Sequence, residues 1–444
     1  MKQLSLFPEW EEETPEKFTH NCDERNRIEA KFSHIIQEEL RLGKLVSYVG
    51  NKSLPIMGLY RYKEAFAFSL VEEFIKRFQL TEKDLIFEPF CGMGTTAFTA
   101  MHSNIQAVAI DKLPIAAFIA NTMPLFWLVE PSHIQNNFEL LKNKVRKFSP
   151  ANVAADVAII KKAFSTEIFT ELCQWKSAIE TLSNPLKDIF LLLFLSILEP
   201  CSYTAKDGQF LRIKKDKKIY PPTEILGQQI YQAQQDILSM RSLWGNKKRQ
   251  LPQIKLADSR DLSNVKFPQK PTAIITSPPY PNRYDYTRIY SLELCFNFVK
   301  NFEELKDLRF SILRSHIESK VHDNDTPNHP VIAEVVNILR REDKTLNNPR
   351  IPDMLVGYFV DMSQVIQEWS RVLAPGAKVA MVVDNVRFAG ELVPVDLILS
   401  EMAEKVGFKV ERIIVARYKG NSSQQMGKYG RVPVRESVVV WQKI

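Results

Sequence analysis

The chain has 444 residues, 45% of them hydrophobic, with a net charge of +7 and five cysteines. That length predicts two to three domains, or one catalytic domain with a large insertion, and the apolar content supports a sizeable core. No apolar run reaches the roughly 18 residues needed to span a bilayer, and the acidic N-terminal region lacks a signal-peptide apolar stretch. Cys22, Cys91, Cys173, Cys201 and Cys295 show no spacing suited to zinc or to a disulfide framework. A cytoplasmic protein without metal or membrane partner is expected, and its basic balance permits a polyanion partner without demanding one.

Gln3-Leu4-Ser5-Leu6-Phe7 precedes an acidic stretch through Glu11, Glu12, Glu13 and Glu16, and residues 1–28 are expected to form a flexible tail. Helical periodicity runs from about Asn26 to Leu42, with Gly43 placed as a helix stop. Tyr60-Arg61-Tyr62-Lys63-Glu64-Ala65-Phe66 is followed by an amphipathic helix through Leu70, Val71, Phe74, Ile75 and Phe78. Asp84–Glu88 reads as a strand, Pro89–Thr96 as a glycine turn opening a helix, and Gln106–Asp111 as a second buried strand closing on an acid. A further helix begins near Pro114. This β-turn-α-β unit predicts a parallel sheet within an N-terminal part of the catalytic domain, residues 29–130.

Residues 131–250 change character. Helical patterns dominate, including the apolar run Ile189–Leu198, and a basic cluster of Arg212, Lys214, Lys215, Lys217 and Lys218 follows Cys201–Gln209. The stretch is too long for an ordinary crossover and reads as a helical insertion. The sheet resumes in residues 251–444, at Ile254–Asp258 and at Ala273-Ile274-Ile275. A polar excursion of helix and loop follows at 301–352, whose His316, His322 and His329 are too irregularly spaced for a metal site. A helix at Tyr358–Leu373, a strand at Lys378–Val383, a helix at Val395–Val406 and two terminal strands, Val410–Ala416 and Glu436–Trp441, complete the chain. The last pair predicts an antiparallel hairpin on the sheet edge.

Two stretches carry chemistry. In Glu88–Thr96, Gly92 and Gly94 allow close backbone approach to a ligand, and the following helix start offers unpaired amides. The third glycine of the dinucleotide fingerprint is replaced by Ala97, but Asp111 ends the next strand, where an acid accepts from both hydroxyls of a ribose. No phosphate-binding P-loop is present. Asp258 ends the third strand pattern, placed either to accept from an adenine amine or to cap the next segment, and neighbouring Asp261 is able to exchange roles with it. The second stretch is Thr276-Ser277-Pro278-Pro279-Tyr280. Its prolines end a strand and stiffen the turn, holding Ser277 and Tyr280 where open α/β sheets place their ligand crevice. Taken alone, the turn reads equally as a Pro-rich corner with a packing tyrosine and as a grip for a flat, amine-bearing ring.

Together, Glu88-Pro89-Phe90-Cys91-Gly92-Met93-Gly94-Thr95-Thr96 and Ser277-Pro278-Pro279-Tyr280 resemble the cofactor and catalytic motifs of the S-adenosylmethionine-dependent DNA amino-methyltransferases of bacterial restriction-modification systems. Tyr60–Phe66, with its helix, resembles the segment that precedes the cofactor motif in that family. The resemblance covers about residues 50–125 and 250–444, and Cys91 and Met93 replace small residues common in the family. It implies an α/β fold with a Rossmann-like methyltransferase sheet, mostly parallel, with a C-terminal antiparallel hairpin and a helical insertion. It implies S-adenosyl-L-methionine as cofactor, bound by Tyr62, Glu88, Pro89, Phe90, Cys91, Gly92, Gly94, Thr95, Thr96, Asp111 and Asp258.

Ser277 and the Pro278 carbonyl would hold the exocyclic amine of a base extruded from double-stranded DNA, with Tyr280 stacked on that base. Ser at the first catalytic position is commoner in cytosine-N4 enzymes, which favours N4 of cytosine over N6 of adenine. Arg283, Tyr284 and Tyr286, with Arg212, Lys214 and Lys215, are expected on DNA, and target recognition would lie in 131–250, in 301–352 or in both. Other readings are a methyltransferase of protein amides or RNA, and a non-catalytic DNA-binding subunit. A cognate restriction endonuclease is an implied partner. Gln3–Phe7 resembles the pentapeptide by which bacterial proteins dock on the sliding clamp.

Overall fold

The computed structural model describes residues 22–208, 210–245, 249–322, 324–341, 346–420 and 432–444. The clamp-like segment Gln3–Phe7 lies outside them. In chain order the strands are β1 (Ile36–Glu38), β2 (Leu85–Glu88), β3 (Gln106–Asp111), β4 (Thr204–Asp207), β5 (Phe210–Ile213) and β6 (Gln253–Leu256), followed by β7 (Ala273–Thr276), β8 (Lys378–Asp384), β9 (Val386–Phe388), β10 (Glu391–Val393), β11 (Phe408–Lys419) and β12 (Val434–Lys443). The chain divides into two compact units. Of the described residues, one comprises those in 44–271 and 284–312, and the other those in 22–43, 272–283 and 313–444. The cofactor-type motif and the insertion share the first of these, whereas the Ser277 turn belongs to the second.

In the first unit β2, β3 and β6 are parallel, with Phe87 opposite Val108 and Ala109 opposite Ile254. Every residue of β2 is buried, as its unbroken Leu-Ile-Phe run requires for a strand covered on both faces. The insertion is helical as expected. Its Leu186–Ile197 helix is apolar on every face after Lys187 and Asp188 of the first turn, and it buries Ile189 to Leu195. Ser165 caps the helix Thr166–Glu180 by accepting from the Ile168 amide at 3.4 Å. Trp175 on that helix stacks on Phe138 at 5.7 Å and donates its Nε1 hydrogen to Thr223 at 2.8 Å, which satisfies an indole otherwise buried without a partner. Two short strands, β4 and β5, form an antiparallel ribbon inside the insertion, where helical patterns dominate the sequence.

In the second unit the order is β1-β11-β12-β8-β7, parallel except where β12 runs against both of its neighbours. The terminal hairpin β11–β12 therefore exists as expected, but it does not form the edge: β1 pairs alongside β11, with Ile36 opposite Ile413. This pairing also corrects the helix expected at 26–42. The observed helix is Asp23–Phe32, which takes in the last residues of the tail expected at 1–28, and the chain then leaves helical geometry to supply β1. Gly43 is not a helix stop. A Cβ there would lie 2.9 Å from the Ala416 carbonyl oxygen, so glycine is required by close packing on β11. Helix Ile351–Val372 begins earlier than its apolar pattern suggested, with Pro352 in its first turn, and it buries Trp369 against Trp441 of β12. Arg25 is fully buried, its charge met by Glu391 at 2.7 Å and Glu334 at 3.0 Å. The architecture is the expected α/β one: a mostly parallel sheet, an antiparallel C-terminal hairpin and a helical insertion.

Candidate active site

The cofactor-type loop lies wholly in the first unit. Glu88 closes β2 and is buried, and the Cys91 amide donates to the Ile110 carbonyl at 2.9 Å, tying the loop to β3. Gly92 and Gly94 have φ of +50° and +86°, so both occupy the left-handed region that favours glycine. A Cβ on Gly94 would stand 2.8 Å from the Ala120 Cβ, which excludes a side chain, and one on Gly92 would lie tight against the Tyr62 ring at 3.2 Å. Helix Thr95–His102 starts directly after, and the buried Thr95 hydroxyl has no partner among the described residues.

Asp111 faces this loop. Its carboxylate accepts from the Gly92 amide at 2.9 Å and from the Leu113 amide at 2.8 Å. Burial pushes it up to about 6, with the Leu113 and Gly92 amides opposing that rise. Asp258 is engaged differently. It accepts from the backbone amide of Arg260 at 3.0 Å and from its guanidinium at 2.7 Å, while Lys112 stands 3.6 Å away. Burial raises its carboxyl, but Arg260 overrides this and holds it below the ordinary carboxylate range. Asp258 thus anchors the turn after β6. Ser259 beside it donates to the Pro89 carbonyl, fixing the motif's proline.

Tyr62 is buried and stacks on Tyr290 at 5.0 Å with nearly parallel rings. Around this pair runs a network that sequence reasoning missed. Glu64 accepts from the Tyr290 hydroxyl at 2.5 Å and from the Tyr284 hydroxyl. Glu293 accepts from Tyr60 at 2.9 Å and pairs with Lys206 at 2.6 Å, and the Lys206 ammonium lies 4.2 Å from the Tyr290 ring centre. Both members of the Lys206–Glu293 pair are almost fully buried. The available signal was an acid inside the apolar run Leu292-Glu293-Leu294-Cys295, which would be costly without a cationic partner.

In the second unit β7 is entirely buried and pairs parallel with β8, Ile275 opposite Ala380, and the Ser277-Pro278-Pro279-Tyr280 turn leaves its end. Ser277 donates to the Tyr280 hydroxyl at 3.2 Å, and that hydroxyl donates to Glu436 at 3.4 Å. Lys419 lies 5.8 Å over the Tyr280 ring. Arg283 has φ of +71°, its amide bonded to the Ser315 carbonyl at 3.0 Å. Its Nε is buried without a partner among the described residues.

Tyr284 and Tyr286 belong to the first unit, edge-to-face at 5.0 Å. Arg212 sits on the exposed face of the β4–β5 ribbon, 5.9 Å from the ring of Phe210, and Lys214 and Lys215 follow it, also exposed. Among the described residues, no group of three or more His, Cys, Asp or Glu side chains is placed to hold a metal, and no helix is long and apolar enough to cross a membrane.

The residues of the first loop fit an adenosine-type cofactor on grounds internal to the structure: left-handed glycines packed closely on their neighbours, a buried hydroxyl without a partner among the described residues, and a buried strand-end carboxylate.

No family model matches the chain. It is 33% identical to the type II methyltransferase M.BsoBI of Geobacillus stearothermophilus, over 96% of this chain and 94% of that protein. It is 35% identical to the type II methyltransferase M.AvaI of Nostoc sp., over 90% and 89% of the two chains. Among solved structures, the rRNA methyltransferase aviRa of Streptomyces viridochromogenes is 11% identical over 90% of each chain with a TM-score of 0.31, a likeness too weak to add to the fold described above.

Proposed function

Since the chain belongs to the type II methyltransferases, we propose that it methylates double-stranded DNA at the exocyclic N4 amine of cytosine in a base flipped from the duplex. The cofactor, S-adenosyl-L-methionine, supplies an electrophilic methyl group. Asp111 takes the ribose hydroxyls, the Gly92–Thr96 turn admits the cofactor against bare backbone, and Tyr62 walls the loop. Glu88, Pro89, Phe90, Cys91 and Asp258 shape and anchor the same pocket.

Ser277 and the Pro278 carbonyl accept the hydrogens of the amine, which conjugation with its ring makes a poor nucleophile, and turn its lone pair toward the methyl carbon. Pro279 stiffens the turn, and Tyr280 stacks on the base. Positioning of this kind lowers a barrier by roughly 7–11 kcal/mol. Arg283, Tyr284 and Tyr286 guide the extruded strand, and Arg212, Lys214 and Lys215 bind phosphates.

The observation that carries this reading is the Ser277–Tyr280 hydrogen bond within a Pro-Pro turn at a buried strand end. It supports a grip on a planar amine, and serine in the first position supports cytosine. Transfer of labelled methyl to duplex DNA, followed by nucleoside analysis, tests it. Label in N4-methylcytosine is expected. Label in N6-methyladenine would correct the base, and label in RNA or protein alone would overturn the substrate.

A further inference from the structure

The hydroxyl chain from Ser277 does not end at Tyr280. It continues to Glu436 on β12, a residue far from either motif in sequence and 2% exposed. Its surroundings are charged on every packed side. Arg417, directly opposite on β11, and Lys419, at 2.6 Å, both pair with Glu436. Asp384, opposite on β8, shares Lys419 at 3.2 Å and has a second carboxylate oxygen buried without a partner among the described residues. The adjacent Arg435 on β12 is turned away, engaged by Asp396 and Glu29. A carboxylate ion-paired this heavily needs no hydrogen bond from tyrosine for its own stability. Its alignment with the two hydroxyls is what requires an account.

We propose that Glu436 is the proton acceptor of the transfer, reached from Ser277 through the Tyr280 hydroxyl. This rests on the amine-methylating function proposed above. As the amine nitrogen bonds to the methyl carbon and the carbon–sulfur bond breaks, the nitrogen gains a positive charge and must lose one proton. That proton passes to Ser277 Oγ, the Ser277 hydroxyl hydrogen to Tyr280 and the Tyr280 hydrogen to Glu436. The secondary amine product is neutral, both hydroxyls are restored, and Glu436 is left protonated until water takes the proton up. Lys419 and Arg417 hold the acceptor in place through their ion pairs. Asp384 places a second carboxyl beside it. Burial pushes Asp384 itself up to about 7, against Lys419.

The test compares wild type, Tyr280→Phe, Glu436→Gln and Asp384→Asn in single-turnover transfer across pH, beside cofactor affinity by calorimetry and base flipping by a fluorescent base analogue. Tyr280→Phe keeps the stacking ring and removes only the relay oxygen. Tyr280→Phe and Glu436→Gln should each slow transfer about 100-fold. The double variant should be no slower than either, with cofactor affinity and flipping within about twofold of wild type. Both should lose the acid limb of the wild-type pH profile, and Asp384→Asn should move that limb to lower pH. Difference infrared spectra of one turnover should carry a protonated-carboxyl band in wild type that Glu436→Gln lacks.

Wild-type rate and pH profile in Tyr280→Phe would overturn the relay, whatever the folding of the Glu436 variant. So would additive losses in the double variant. Failure of the wild-type protein to label any DNA would instead overturn the function on which the relay rests.

Discussion

Replacing Asp111 by Asn changes one oxygen and tests the cofactor half of the site. Both carboxylate oxygens of Asp111 are already used by backbone donors, the Leu113 amide at 2.8 Å and the Gly92 amide at 2.9 Å. An Asn side chain presents one acceptor and one donor, so one of these amides is left facing an N–H. Leaving a buried donor unsatisfied costs about 1–3 kcal/mol. That cost falls on the free and the bound protein alike; what enters the affinity is loss of the charged acceptor proposed for the ribose, since a hydrogen bond to a charged group contributes about 1.5–3 kcal/mol. Since about 1.4 kcal/mol is tenfold in affinity, Asp111→Asn should weaken cofactor binding roughly 10- to 100-fold by calorimetry.

The pH dependence gives a second check. Burial lifts the Asp111 carboxyl to about 6, so the charged acceptor is present above that pH and lost below it. Wild-type cofactor affinity should therefore fall as pH drops through about 6, and the Asn variant should lack this limb. In the cofactor-free protein the sign is opposite. A raised carboxyl contributes stability that is full below its ordinary 3.8 and lost as pH rises through about 6. Wild-type affinity and pH response in the Asn variant would refute the role given to Asp111.

Other expectations follow from individual side chains. Lys206→Met leaves Glu293 buried without its cation, and should destabilise the protein by about 3–5 kcal/mol in urea titration. His102 is enclosed by Phe98, Phe68, Trp127 and Trp244, and burial pulls it down to about 4. It must stay neutral when folded, so its contribution to stability is full above its ordinary 6.5 and lost as pH falls through about 4; His102→Phe should flatten that acid-side decline in thermal melts. Changing Arg212, Lys214 and Lys215 together to Ala should weaken DNA binding uniformly across sequences and reduce the salt slope by about 0.9 for each phosphate no longer neutralised.

The sheet was legible wherever a strand is buried on both faces, because Leu85-Ile86-Phe87 and Ala273-Ile274-Ile275 are apolar without alternation and are bounded by Pro, Gly or an acid. The glycine loop was legible for a related reason: a positive φ at Gly92 and Gly94 leaves a mark in residue identity. β1 was hidden, since Ile36-Gln37-Glu38 continues a helical pattern and becomes a strand only through its pairing with Ile413–Val415. The β4–β5 ribbon was masked by Lys206 and Arg212, of which Lys206 is buried rather than solvated. The networks around Glu64, Glu293 and Glu436 are the least legible of all. Their partners lie far away in sequence, and an acid's pairing leaves no local periodicity.

The central claim is that the chain transfers a methyl group to the N4 amine of cytosine in DNA. Its most direct test is a single turnover of the purified protein with labelled S-adenosyl-L-methionine and duplex DNA, followed by digestion and nucleoside chromatography. The expected result is label in N4-methylcytosine, at one sequence, in wild type and greatly reduced in Tyr280→Ala. Label confined to N6-methyladenine, or absent from DNA of every sequence, would contradict it.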